Sequence, residues 1–277
     1  MKHYPSISSS LDSAWNKYED NLSRSRSNLS VDNVHDLRVS TQRLEAILCL
    51  SRILTKSKKL SRLLKNLKKT RCSLGPLRDI QVEMLELNEM KFSSKDTKEY
   101  FFYCDNRKKI AQKKALRAIK RNTPHSHAKI FEREKKKVNA IEKTVSHHVI
   151  KEKLEANLRN YFFPLNRKLR NHSIQKRKGL HKYRILTKQL RYQGEAMKEL
   201  LGSTMFNMKD LKGTQAELGK IQDNSNIIKN LNTFLSSQKR LKQPGLEAIR
   251  DQIQLTHEKL VQLELQALST QQWKNSA

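Results

Sequence analysis

The stretch "LHKYRILTKQLRY" at 180–192 carries four side chains suited to chemistry with an anion: His181, Arg184, Lys188 and Arg191, at gaps of three, four and three. On a helix advancing about 100° per residue they fall within an arc of about 80°. Guanidinium forks and an ammonium on one stripe, headed by an imidazole, make charge-assisted hydrogen bonds to phosphate or carboxylate oxygens. Tyr183, Leu186, Leu190, Met197 and Leu201 lie about 140–200° round the same helix, so the cationic stripe points away from the core they define. Taken alone, it also reads as a solvated charged face, with Glu195 four residues after Arg191 offering an ordinary ion pair.

A second stretch repeats the pattern. "HDLRVSTQRL" at 35–44 matches "HKYRILTKQL" at 181–190 with His, Arg, Thr and Leu in register, so 146 positions separate His35 from His181. "LKKTRCSLGPLRD" at 67–79 matches "LKGTQAELGKIQD" at 211–223 at an offset of 144. Two motifs in the same order at nearly one spacing argue for duplicated halves. His35 and Arg38 then share the face that His181 and Arg184 occupy in the second copy. Asp32 reads as an N-cap, which puts His35 in the first turn, where free amides and the helix dipole favour an anion.

The elements that must position these groups are helices. Only 7 Gly and 5 Pro interrupt 277 residues dominated by Leu, Lys, Glu, Gln and Arg. The expected fold is all-α: two pseudo-symmetric, duplicated antiparallel helical bundles of about four helices each, over 1–140 and 141–277. Apolar periodicity predicts helices from about Ser10 to Asn28, from Asp32 to Lys56, and from Ser57 to a break at Gly75-Pro76. Another continues to Met90, and Ser93-Ser94 opens one to about Lys120. "NTP" at 122–124 is a stop and start with Thr123 as cap, and 125–172 is helical and basic. "NHSIQKRKG" at 171–179 reads as a loop before the quoted helix. A loop at Gly202-Ser203, a helical region from Met208 to Ser237, a turn "KQPG" at 242–245 and a helix to about Thr270 follow.

Lys and Arg number 57 against 27 Asp and Glu, a formal +30. Such a field attracts a polyanion: nucleic acid, an acidic membrane or a phosphate polymer. Cys49, Cys72 and Cys104 show no C-x-x-C spacing and read as small buried thiols of a reducing cytosol. "MKHYPSISSSLDSAW" has no apolar core for a secretion signal, and runs such as "YFFYC" at 100–104 are too short to span a bilayer. A soluble, cytoplasmic protein without membrane insertion is expected.

"VHDLRVSTQRL", "LGPLRD", "LHKYRILTKQLRY" and the LG-x-x-QD of 218–223 together resemble the four signature segments of the CHAD domain, the conserved-histidine α-helical domain. The resemblance covers nearly the whole chain. It implies two pseudo-symmetric bundles with inorganic polyphosphate bound at a basic surface between them. On matching positions it implies ligand contacts from His35, Arg38, Arg43 and Arg78 in one half, and from His181, Arg184, Lys188 and Arg191 in the other. The sequence departs from the family pattern at Gln42, where a basic residue is common, and at Gln222, which replaces the basic residue of the first "LG-x-x-RD". Glu45 stands where the second copy has Arg191, so a weaker grip by the first half is expected.

Lys65, Lys68, Lys69, Arg71 and Lys212 flank these motifs and read as supporting charge. Asp79 and Asp223 read as helix caps or as acids orienting nearby arginines, with a metal role the weaker alternative. Glu132, Glu134 and Lys136 in "EREKK" have the E-x-E-x-K spacing of tunnel triphosphatases, but that chemistry needs a strand and the surroundings read as helix. His35-Asp36 lacks the partners of an HD phosphohydrolase. His125, His127, His147 and His148 lack the acids or thiols of a zinc site. Neither a P-loop nor a Ser-His-Asp set is present. The expectation is noncatalytic binding of inorganic polyphosphate, with targeting to polyphosphate granules, and with no cofactor or metal. RNA or DNA association through the same charge is the rival, although 6% aromatic residues offer no obvious stacking platform. Metal-dependent polyphosphate or triphosphate hydrolysis is the remaining alternative.

Overall fold

The computed structural model describes residues 6–90, 94–121, 124–172, 177–237 and 244–270. Among these the chain is all-α: α1 Ile7–Ser27, α2 Val31–Thr55, α3 Leu60–Ser73, α4 Gly75–Glu89, α5 Ser94–Arg121, α6 Pro124–Thr144, α7 His147–His172, α8 Arg177–Leu201, α9 Met208–Ser237 and α10 Pro244–Thr270. Each helix follows an apolar stripe at helical spacing. α1 buries Leu11, Trp15, Tyr18 and Leu22, and the Trp15 ring stacks on Phe131 of α6 with centroids 4.4 Å apart.

α2 is the central helix. It packs against α1, α3, α6, α7 and α8 and buries Val34, Leu37, Leu44, Ile47, Leu48, Leu50 and Leu54. Each such side chain contributes about 1.5–3 kcal/mol relative to exposure. Its N-cap is Ser30 rather than Asp32: the Ser30 hydroxyl accepts from the Asn33 amide at 3.2 Å. Asp32 therefore lies inside the first turn, and His35 falls in the second, where backbone amides are already committed to the helix. At His35, therefore, no free helix-start amide is on offer to an anion.

The two sequence copies differ at one physical point. Pro76 follows Gly75 in the first copy, and the helix breaks at Leu74 into α3 and α4, with the proline in the opening turn of α4. Lys220 occupies that place in the second copy, and α9 runs unbroken. Up to Thr144 the described chain forms six helices, and four follow. α2 lies against α8 and α4 against α9, so the motif-bearing helices of the two copies meet.

One apolar cluster extends from Ile7 of α1 to Ile253 of α10, and a smaller one gathers Leu180, Tyr183, Leu218 and Ile221 under Leu260, Val261 and Leu265. Two glycines shape the end of α8. Gly202, at φ 72°, takes the left-handed turn that stops it. A Cβ on Gly194 would lie 2.6 Å from Met208 Sδ and 3.2 Å from Phe206 Cδ2, so a bare backbone lets the following connection pack onto α8.

The 171–179 loop reading is revised: residues 171–172 end α7 and 177–179 open α8, while 173–176 lie outside the described residues. Ser93, the Thr123 cap and Lys242-Gln243 also lie outside them. Cys104 is buried and Cys49 half-buried, but Cys72 is exposed. It sits about 140° round α3 from the buried Leu67, on the outer face. Among the described residues no helix is long and apolar enough to cross a membrane.

Candidate functional site

The packing of α2 on α8 turns two cationic stripes toward each other. On α2 the stripe continues at gaps of three and four from His35 through Arg38, Gln42, Glu45 and Cys49 to Arg52. Arg184 and Lys188 of α8 face it, Arg71 of α3 closes one end, and Asn157 and Tyr161 of α7 form the far wall. With the α2 stripe from Arg38 to Arg52, though not His35, they line a groove of ≈ 400 Å³. Arg184, Lys188 and Arg191 are half-buried, so the α8 stripe is not a solvated face. Arg184 and Lys188 point away from the helix's own apolar stripe, as helical phase requires, but toward the opposite copy.

Crowding of like charges is greatest at Lys188. Burial, followed by the guanidiniums of Arg38, Arg184, Arg71 and Arg191, pushes its ammonium down to about 7. Arg38 is also lowered, chiefly by burial, with Asp79 opposing; its Nη1 donates to the Arg71 carbonyl at 2.9 Å. Arg71 Nε donates to Glu45 Oε2 at 3.2 Å. Glu45 itself is pushed up by burial, against the pull of Arg71, Lys68 and Lys188.

His35 and Arg78 adjoin this cluster on the α4 side. Arg78 Nη1 reaches the Val31 carbonyl at 3.5 Å, and the guanidinium feels Asp223, Asp32 and Asp79. His35 is exposed overall, but partial loss of hydration and then Arg78 hold its imidazole below the ordinary range; Arg38 and Lys188 add to this while Asp36 opposes. Asp79 and Asp223, the matched acids of the two copies, are both pushed up by loss of hydration. Arg38, Arg184 and Arg78 pull Asp79 back, and Arg184 does so for Asp223, which Asp79 raises further. Neither caps a helix. α4 begins after Leu74 with no side-chain cap, and Asp223 lies well inside α9.

His181 is exposed, with Nδ1 2.7 Å from Gln222 Oε1. It opens onto a second, largely apolar cavity of ≈ 890 Å³ between α8, α9 and α10, walled by Leu218, Ile221 and Val261. Arg184 lines both spaces. Arg191 is held by Gln215 Oε1 at 2.6 Å and Glu195 Oε1 at 2.7 Å, and its guanidinium lies 4.2 Å from the centroid of the Tyr192 ring. Arg43 points elsewhere. Five residues past Arg38, it is about 140° round α2 and lines a recess with Tyr192, Glu195 and Glu199. Lys65, Lys68 and Lys69 on α3 and Lys212 on α9 are exposed.

Sequence reasoning missed Arg52, Asn157, Tyr161 and Gln193, all of which line the groove. Arg52 was within reach, because it continues the α2 stripe one step beyond Cys49. The α7 and Gln193 contributions belong to no repeated motif. Of the discounted signals, Glu132, Glu134 and Lys136 lie on α6, where Glu134 is buried and accepts from the Thr55 hydroxyl. His127 is buried, with Nε2 2.8 Å from Asn66 Nδ2.

An all-helical scaffold that brings two copies of one cationic motif face to face defines the class of this protein. The CHAD domain family model matches residues 9–229, and the chain belongs to that family, which is associated with polyphosphate binding. Among solved structures, it is similar to the crystal structure of the CHAD domain from the plant Ricinus communis. The TM-score is 0.63 at 15% sequence identity, covering 98% of this chain and 94% of that one. A comparison with curated proteins found no match.

Proposed function

We propose that this protein binds inorganic polyphosphate without cleaving it, along the groove between α2 and α8, and that this binding recruits it to polyphosphate granules. One observation carries the reading. Arg38, Arg52 and Arg71 from the first copy and Arg184 and Lys188 from the second share a single groove, with Glu45 the one carboxylate among its described lining residues. Like charges forced together raise the free energy of the empty site, and a polyanion entering it relieves that repulsion. At Lys188 burial acts first, and the neighbouring guanidiniums of Arg38, Arg184, Arg71 and Arg191 depress the ammonium further. Polyphosphate has an ionised oxygen on every internal unit and no side groups, so donor spacing and charge density are what recognise it. The groove favours holding over attack. Cys49, its thiol, is pushed up by burial and stays protonated, which makes it a poor nucleophile.

The test is a titration of labelled long-chain polyphosphate against duplex and single-stranded nucleic acid at equal charge concentration and fixed ionic strength. Polyphosphate is expected to bind at least about tenfold more tightly, with affinity falling steeply as salt rises. Displacement by nucleic acid at equal charge would return the protein to general polyanion binding. Sustained release of phosphate in the presence of a divalent metal would overturn the noncatalytic assignment.

A further inference from the structure

Part of the groove has no use for a bare phosphate polymer. An ionised phosphate chain offers acceptors only and no flat apolar face, yet the groove also presents an aromatic ring and a carboxamide. The α7 wall adds a flat apolar surface. Tyr161 is 56% exposed, and the buried Phe162 braces it edge-on at 4.9 Å and 86°. Ile185 of α8, 43% exposed, lines the groove as well, and Asn157 presents an amide one turn before Tyr161. Donors for phosphate, a carboxamide for a base edge and an exposed braced ring are the three parts of a nucleotide site.

We infer that the groove takes a nucleoside-terminated oligophosphate: its phosphates lie on Arg38, Arg71, Arg184 and Lys188, its base stacks on Tyr161, and the Asn157 amide bonds the base edge. This assignment rests on the polyphosphate reading of the same groove and adds a preference for what terminates the chain. ATP and inorganic tripolyphosphate separate the two, because they share a triphosphate and ATP carries the smaller negative charge. Charge alone therefore makes ATP the weaker ligand.

The experiment is isothermal titration of the full chain with ATP, tripolyphosphate and long-chain polyphosphate, in chelator to remove divalent metals. ATP is expected to bind about tenfold more tightly than tripolyphosphate, in keeping with one base stacked on one ring. Tyr161→Ala and Asn157→Leu should each erase most of that advantage, weakening ATP far more than tripolyphosphate or long-chain polyphosphate. Equal or weaker ATP binding overturns the inference while long-chain binding stands. An ATP advantage that survives both substitutions also overturns it, since the base then sits elsewhere. Failure of long-chain polyphosphate to bind sinks the underlying reading instead, whatever ATP does. An oligoadenylate without terminal phosphates that binds as tightly as ATP would make the ligand a nucleic acid and overturn the assignment.

Discussion

Arg71 Nε donates to Glu45 Oε2 at 3.2 Å, and at the matching positions of the second copy Arg191 Nε donates to Gln215 Oε1 at 2.6 Å. The contact is kept and its polarity is exchanged. In the first copy the arginine comes from α3 and the acceptor from α2, while in the second the arginine comes from α8 and the acceptor from α9. His35 beside Arg78 and His181 bonded to Gln222 form another matched pair of positions. Equivalent contacts built from different residues explain how the two halves can carry unequal charge on one framework.

Glu45 neutralises part of the first copy's charge inside the groove. Glu45→Gln keeps an acceptor for Arg71 and removes the carboxylate, so long-chain polyphosphate affinity should rise several-fold, measured by titration at fixed salt. A fall would mean that the carboxylate is needed to aim Arg71.

Lys188 makes binding depend on pH. Its ammonium is depressed to about 7 in the free protein, so at higher pH an incoming polyanion must draw a proton onto it. Affinity should be flat below pH 7 and fall above it, and calorimetry in two buffers of different ionisation enthalpy should show proton uptake at pH 8. Lys188→Met should abolish the uptake. The sign for stability is opposite: the unfolded chain binds this proton up to the ordinary lysine range and the folded chain does not. Stability from this group therefore falls as pH drops from that range toward 7, and levels off below it. Lys188→Met should accordingly raise the thermal midpoint at pH 7.

Position should matter more than charge count. Arg38→Gln combined with Arg184→Gln should weaken polyphosphate binding by at least about tenfold and reduce the slope of log affinity against log salt by about two. Lys113→Gln with Lys114→Gln, an exposed pair on α5, removes the same charge and should cost far less. Equal losses would replace the groove with diffuse attraction.

The two glycine environments predict opposite outcomes in denaturant titrations. No heavy atom lies within 4 Å of a Cβ added at Gly219, so Gly219→Ala in α9 should stabilise by about 0.5–1 kcal/mol. At Gly194 the added atoms meet Met208 and Phe206, and Gly194→Val should destabilise by about 1–3 kcal/mol.

The sequence by itself determined the helices and the two motif copies. Leucine spacing, scarce glycine and the Gly75-Pro76 break are local signals, and local signals survive without knowledge of distant neighbours. It also supplied the phase of the cationic stripes, because the direction of a side chain about its own helix depends on spacing alone. What that direction meets was decided by tertiary packing. Only when α2 lies on α8 do Arg38, Arg71, Arg184 and Lys188 share a groove, Arg43 turn outward beside Glu195, and His181 open onto a separate cavity. The wall from α7, with Tyr161 and Asn157, belongs to no repeat, and its role follows from a contact between segments distant in sequence. Charge crowding is a property of distances between elements, and no periodicity within one element contains it.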